Sequence, residues 1–165
     1  MMDQQTVSAY HDALDRLPGE ATAIDRGVET FAQTYGDLTQ EDLADRIAEL
    51  YAEDMYFNDT VHIIRDRSKL VDYMARTGSS LEENRVDIHK VIRDGQDVYV
   101  RWEMTFVTRA VGKRIESHSI GISHLRFNAD GKIVLHQDFW DSGNALYAHL
   151  PVVGFFVRRA QGAMQ

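Results

Sequence analysis

The apolar positions of this chain recur every three or four residues in its first third and every second residue in most of its second half. Ile24, Val28, Phe31 and Tyr35 stand four, three and four apart, which puts their side chains on one face of a helix that Gly36 ends. Before them, Thr6 to Leu17 is a shorter helical candidate closed by Pro18-Gly19. After them, Thr39-Gln40-Glu41-Asp42 reads as a helix start. Thr39 caps it and Asp42 completes an approximate capping box. Leu43, Ile47, Leu50 and Tyr51 form the buried stripe of that helix. The period then switches to two: Met55, Phe57 and Asp59 alternate with Tyr56 and Asn58, as in a short strand. Ser68 to Arg76 predicts a further short helix with Leu70, Val71 and Met74 apolar, ended by Gly78-Ser79-Ser80.

Strands dominate from Arg85 onward. Arg85 to Ile92 is followed by Asp94-Gly95, a strong hairpin signal, and by Asp97 to Thr108. A turn around Val111-Gly112-Lys113 leads to Arg114 through Phe127, and Asn128-Ala129-Asp130-Gly131 leads to the last strand, Lys132 to about Trp140. Four strands joined by short turns pair antiparallel. With the short strand near Phe57 they predict a mixed sheet of about five. Helices first and strands afterwards mark an α+β domain rather than an α/β one.

The end of the chain is apolar. Asn144 to Leu150 fits a helical turn or two, and Pro151 can open a helix carrying Val152, Val153, Phe155, Phe156 and Val157 before Arg158-Arg159. Such a tail is expected to cap the open end of the domain or to form a subunit interface. Membrane-surface binding through Phe155 and Phe156 is the sharper alternative, weakened by a short segment with a thin polar face.

Length and charge narrow the picture. A chain of 165 residues fits one domain, 1–165, with a sizeable core. The formal charge of −8 repels phosphate backbones and argues against non-specific nucleic-acid binding. With no cysteine, disulfides, thiolate zinc sites and a cysteine nucleophile are excluded. The start shows no basic segment followed by an apolar run, and no stretch is long and apolar enough to span a membrane, so a cytoplasmic location is the expectation.

Two motifs carry a resemblance. Leu50-Tyr51-Ala52-Glu53-Asp54 followed by Phe57-Asn58-Asp59 is similar to the helix-end and first-strand signature of the NTF2-like superfamily. Asp130-Gly131-Lys132-Ile133 with His136-Gln137-Asp138-Phe139-Trp140-Asp141 resembles that superfamily's last hairpin. The resemblance covers roughly residues 22–142 and extends to SnoaL-type cyclases, ketosteroid isomerases and limonene-epoxide hydrolases. It implies a cone-shaped fold of the cystatin-like roll type, in which a curved, mostly antiparallel sheet packs against N-terminal helices around an internal pocket. Residues 20–142 would be the common core, 1–19 an N-terminal helical extension and 143–165 the apolar tail.

In that fold the concave sheet face lines the pocket and the convex face often makes a dimer. Alternation then points Val98, Val100, Trp102, Met104 and Phe106 inward, with His136, Asp138 and Trp140 from the last strand. Ser119, Gly121, Ser123, Leu125 and Phe127 would share that face. His118, Ile120, Ile122 and His124 would lie on the convex side, apolar enough to suggest a homodimer.

Asp59 resembles the aspartate general base of ketosteroid isomerases; as a plain structural residue it would cap the turn to Thr60, which replaces the family's proline. The family's oxyanion tyrosine falls on Tyr35, or on the non-donating Phe31 if the helix connection shifts, and its second donor falls on Ser123. Against the epoxide hydrolases, Asp138 resembles one of two carboxylates, but the bridging arginine and second aspartate fall on Trp102 and Met104; Arg101 and Glu103 are one residue off, on the opposite sheet face. His136 and Asp138, at i and i+2 on a strand, form a candidate base pair or a self-satisfied polar network. His62 sits just past the Asp59 turn and would roof the pocket. His62, His136, Asp59 and Asp138 lack the local spacing of a metal site, and no glycine-rich phosphate loop is present.

Three functions follow. The first is acid–base chemistry, isomerisation, cyclisation or dehydration, on an apolar carbonyl or hydroxyl compound of steroid- or polyketide-like character, with no cofactor and no metal. The second is a binding protein for a hydrophobic ligand. The third is an interaction scaffold using the convex face and the tail.

Overall fold

In a computed structural model, the structure describes residues 2–110 and 112–142. Among these residues four helices and six strands follow one another as α1 (Met2–Arg16), α2 (Ile24–Tyr35), α3 (Leu43–Leu50), β1 (Tyr51–Asn58), β2 (Ile63–Asp66), α4 (Arg67–Ser79), β3 (Leu81–Asp94), β4 (Asp97–Ala110), β5 (Lys113–Phe127) and β6 (Ile133–Trp140). The strands form one sheet in the order β2-β1-β6-β5-β4-β3. Among the described strands only β1 and β6 run parallel; the other pairs are antiparallel. The sheet is mixed, as expected, with six strands rather than about five, because the short segment Ile63–Asp66 pairs with β1.

The two-residue connection Gly95-Gln96 closes the β3–β4 hairpin, with φ 58° at Gly95, where a side chain would be strained. Register shifts in β1, in β3 and between β5 and β6 bend the sheet. On the concave side α2, α3 and α4 deliver Phe31, Ile47, Leu50, Leu70 and Met74 to the main core, against Val98, Val100 and Leu125 of the sheet. On the convex side α1 sets Ala9, Ala13 and Leu17 against Ala52, Tyr56 and Leu135. The pair β1 and β6 is therefore covered on both faces, and Ile133 through Gln137 is buried without alternation.

Several local expectations shift. Tyr51 opens β1 rather than closing α3. Thr39 does not cap α3: Asp37 holds both the amide and the hydroxyl of Thr39, at 2.8 and 2.6 Å, and Asp42 is the capping position. α4 ends within Gly78-Ser79-Ser80 as expected, running to Ser79, and is capped at its start by Asp66 accepting from the Lys69 amide. His124, expected on an open convex face, is buried there beside Tyr10 of α1. The tail from 143 lies outside the described residues, and so do the expectations made for it. No described helix is long and apolar enough to cross a membrane.

Candidate functional site

Period-two alternation on β6 brings His136 and Asp138 to the concave face. The last two turns of α2 carry Phe31 and Tyr35 over them, with ring centroids 4.7 Å apart in a stack. Parallel pairing of β1 with β6 sets Phe57 opposite His136. Between helices and sheet lies a cavity of about 500 Å³, in the range of small-molecule sites. Its wall includes Phe31, Phe57, Trp102, Met104, Phe106 and Trp140 among apolar groups, and Tyr35, Asp59, His62, Ser123, His136 and Asp138 among polar ones. Val98 and Val100 share the inward face but stand in the core, outside this wall, because alternation fixes a face and not a position along the strand.

A continuous hydrogen-bond chain runs beneath the cavity. The Tyr35 and Tyr51 hydroxyls are 2.6 Å apart, Tyr51 Oη is 2.6 Å from His136 Nδ1, and His136 Nε2 is 2.8 Å from Asp138 Oδ1. Trp102 Nε1 donates to Ser123 Oγ at 2.9 Å, and Ser123 Oγ donates to the same Asp138 oxygen at 2.5 Å. Asp138 Oδ2 takes no hydrogen bond from the described residues, and the side chain is 14% exposed while that of His136 is 1% exposed. Gly121 lets Trp102 lie this close: a Cβ there would stand 2.4 Å from the indole ring.

The direction of the chain follows from proton inventory. With His136 neutral and Nε2–H donating to Asp138, Nδ1 must accept from Tyr51, and Tyr51 must accept from Tyr35. Tyr35 then offers the cavity a lone pair. With both ring nitrogens protonated, the Tyr51–His136 and Tyr35–Tyr51 bonds reverse while Nε2 still donates to Asp138, and the Tyr35 hydroxyl is released to donate into the cavity. Burial pushes both phenols well above their ordinary range, so they act as neutral hydroxyls. One end of the chain can accept a proton while the other supplies a hydrogen bond.

Asp59 is differently placed. It follows β1, and its Oδ1 accepts the Val61 and His62 amides at 2.9 and 2.7 Å, while Tyr73 Oη donates to Oδ2 at 2.5 Å. Trp140 Nε1 also donates to the Asp59 carbonyl at 2.8 Å. The carboxylate thus holds the 59–62 loop, in which Thr60 has φ 74°. His62 packs on Tyr73, ring centroids 4.7 Å apart, at the cavity wall. The site roles of Tyr51 and Tyr73 are not legible in the sequence, where Tyr51 stands in a buried stripe and Tyr73 beside one. Arg101 and Glu103 lie off the wall: Glu103 pairs with His89 and His118, and β4–β5 carries no bulge that would turn them inward. Among the described residues no group of three His, Asp, Glu or Cys side chains is placed to hold a metal ion.

A model of the SnoaL-like domain family matches residues 28–136. No curated protein sequence matches the chain. Solved structures share the fold. An NTF2-like protein of unknown function from Exiguobacterium sp. 255-15 is 20% identical, with a TM-score of 0.56 over 73% of this chain and 98% of that one. An LEH-like epoxide hydrolase of M. tuberculosis is 21% identical, with a TM-score of 0.55 over 79% and 86%. A protein with a ketosteroid isomerase-like fold from Catenulispora acidiphila DSM 44928, solved with trimethylamine, is 21% identical, with a TM-score of 0.60 over 73% and 88%. The chain belongs to the SnoaL-like domain family, and its fold is the α+β, NTF2-like one.

Proposed function

We propose that this member of the SnoaL-like family is an acid–base enzyme that moves a proton on an apolar compound bearing a carbonyl or hydroxyl group. The observation that carries this reading is the hydrogen-bond chain from Tyr35 to Asp138, whose two ends both reach one apolar cavity. Asp138 is the base: Oδ1 is fixed by His136 and Ser123, and Oδ2 is left for substrate. Tyr35 is the donor that stabilises the developing oxyanion, in the state where both His136 nitrogens are protonated, Nδ1–H donates to Tyr51 and Tyr51 donates to Tyr35. Ser123 and Trp102 position Asp138. Asp59 is a weaker candidate base than its place in the sequence suggests, since three donors already hold it.

The test is solvent-deuterium incorporation beside the carbonyl of apolar cyclic ketones, read by mass spectrometry for wild type and Asp138→Asn. Exchange that depends on Asp138 supports the reading. Ketones that bind, by quenching of Trp102 and Trp140, yet never exchange would leave the second reading, a binding protein for a hydrophobic ligand.

A homodimer is part of the same proposal. Ile120, Ile122 and Phe139 are 69%, 41% and 50% exposed on the convex face, with Ile122 and Phe139 directly opposite on β5 and β6. A second copy covering them is the expected partner. Light scattering of wild type and Ile120→Glu tests it; a monomeric wild type ends the idea.

A further inference from the structure

We propose that the cavity has a second polar end, at Asn84, Ser117 and Ser119, and that its ligand is an elongated molecule with oxygen functions at both ends of an apolar skeleton. The inference rests on the small-molecule reading and adds the shape and chemistry of the ligand.

Three buried polar atoms carry it. Asn84 Nδ2, Ser117 Oγ and Ser119 Oγ have no hydrogen-bond partner among the described residues. Ser117 is 4% exposed and Ser119 8%. Most buried polar groups in folded proteins are paired, and one left alone forfeits the hydrogen bonds it makes with water in the unfolded chain. A single orphan is unremarkable; three in one neighbourhood need an account.

Their neighbourhood follows from register. Asn84 of β3 stands opposite Phe106 of β4, and Phe106 stands opposite Ser117 of β5. In the next inward row Val86 faces Met104, and Met104 faces Ser119. Asn84, Val86, Met104 and Phe106 are all cavity wall. The two serines are not on that wall: they stand one strand beyond Met104 and Phe106 and two strands beyond Asn84, at roughly 4.8 Å per strand across the sheet. Asn84 Oδ1 is already spent on the Leu38 amide at 3.0 Å, which fixes the amide and leaves Nδ2 as the orphan donor. Met104, unbranched and only partly buried, is the side chain between Ser119 and the cavity that can give way to a ligand.

This cluster is remote from Asp138. Ser119 and Ser123 lie on the same face of β5, and four residues of strand separate them by about 13 Å. Ser123 is bonded to Asp138. Between the two ends lies the row of Trp102 and Gly121, while Met104, Phe106 and Val86 stand in the rows of the serines and line the same cavity. A ligand matching this pattern places one hydroxyl or carbonyl at Asp138, an apolar stretch against the aromatic and aliphatic wall, and a second oxygen at the serines. A compound oxygenated at one end only would leave the serine end unpaired.

Both tryptophans of the chain line the cavity, so their fluorescence reports binding there. The probes are decane-1,10-diol, which has a hydroxyl at each end, and decan-1-ol, which has one. Wild type is expected to bind the diol about tenfold more tightly, the worth of one well-placed hydrogen bond. In the double variant Ser117→Ala/Ser119→Ala that ratio is expected to fall to about one. The same variant should melt at the wild-type temperature or above it, because it removes two unpaired hydroxyls. A diol no tighter than the alcohol in wild type overturns the proposal, as does a preference that survives in the double variant. A lower melting temperature for that variant overturns it too, by making the serines structural. If neither probe quenches the tryptophans, the small-molecule reading itself fails and takes the proposal with it, a result separate from binding without preference.

Discussion

His136 and Asp138, two residues apart on β6, meet with Nε2 at 2.8 Å from Oδ1, and the oxygen they share also accepts from Ser123. One carboxylate oxygen is therefore held twice while no described residue holds the other. The opposite holds at Asp59, where both oxygens are engaged. The two aspartates at one cavity have separable roles, and substitution should distinguish them. Asp138→Asn is expected to reduce deuterium exchange into a bound ketone by 10²-fold or more, the usual worth of a positioned base. Asp59→Asn is expected to retain exchange within a few-fold and to lower unfolding free energy by about 1–2 kcal/mol, as a hydrogen-bonded turn loses its anchor. Exchange lost in Asp59→Asn and kept in Asp138→Asn would reverse the assignment.

Gly121 supports the same site from below. A methyl group there would stand 2.4 Å from the Trp102 ring and 2.8 Å from the Trp140 Cβ, so Gly121→Ala must displace the indole. Displacement breaks the Trp102–Ser123 bond and with it one restraint on Asp138. Overpacking of this kind costs about 1–3 kcal/mol. Denaturant unfolding should show that loss, and the tryptophan emission should shift to the red as the indole moves toward solvent. A variant with unchanged stability and emission would mean that Trp102 is not held where it lies.

How far the sequence reaches is decided by whether an interaction is local. His136 and Asp138 share a face because they are i and i+2 on a strand, so their pairing was legible from period alone. The stripe of α2, with Phe31 and Tyr35 on one side, was legible for the same reason. Tyr51 was not: its bond to His136 spans 85 positions and exists only because β1 runs parallel to β6. Tyr73 sits in α4 beside an apolar stripe, and nothing local says that its hydroxyl meets Asp59. Val98 and Val100 obey the alternation that points them inward and still miss the cavity, because the helices fill the space above them with core side chains. The Asp59 turn was readable as a capping motif; the saturation of that carboxylate by Tyr73 was not.

Thr60 gives a prediction independent of function. Its φ of 74° is unusual for a β-branched residue, and its hydroxyl is buried without a partner among the described residues. A left-handed conformation costs a non-glycine residue about 1–2 kcal/mol, and an orphaned hydroxyl about 1–3 kcal/mol. Glycine returns part of this through the greater freedom of its unfolded chain, about 0.5–1 kcal/mol. Thr60→Gly is therefore expected to raise stability by about 1 kcal/mol in denaturant unfolding. A loss would show that the threonine methyl contributes packing that outweighs the strain.

The convex face provides a pH test. His124 is buried there, with Nε2 2.7 Å from Asp97 Oδ1, Nδ1 2.6 Å from Tyr10 Oη and its ring stacked on Tyr99. Burial holds the imidazole below its ordinary value of 6.5, although Asp97 pulls the other way. Unfolding restores the ordinary value. As pH falls below about 6.5 the unfolded chain binds a proton that the folded chain refuses, so this contribution to stability is present above that pH and is lost progressively beneath it. Asp97 adds to the loss only in stronger acid. Burial raises it, but the bonds from Arg126 and His124 outweigh burial and leave it below its ordinary 3.8. Arg126 joins Asp97 at 2.6 Å to the carbonyls of Leu14 and Leu17 at the end of α1, so this cluster is also what fastens α1 to the sheet. Amide exchange in α1, corrected for intrinsic rates, should therefore speed up several-fold between pH 7 and 5. His124→Gln, which keeps polar atoms but cannot titrate, should flatten that slope. An equal slope in the variant would assign the effect to another group and leave His124 as packing alone.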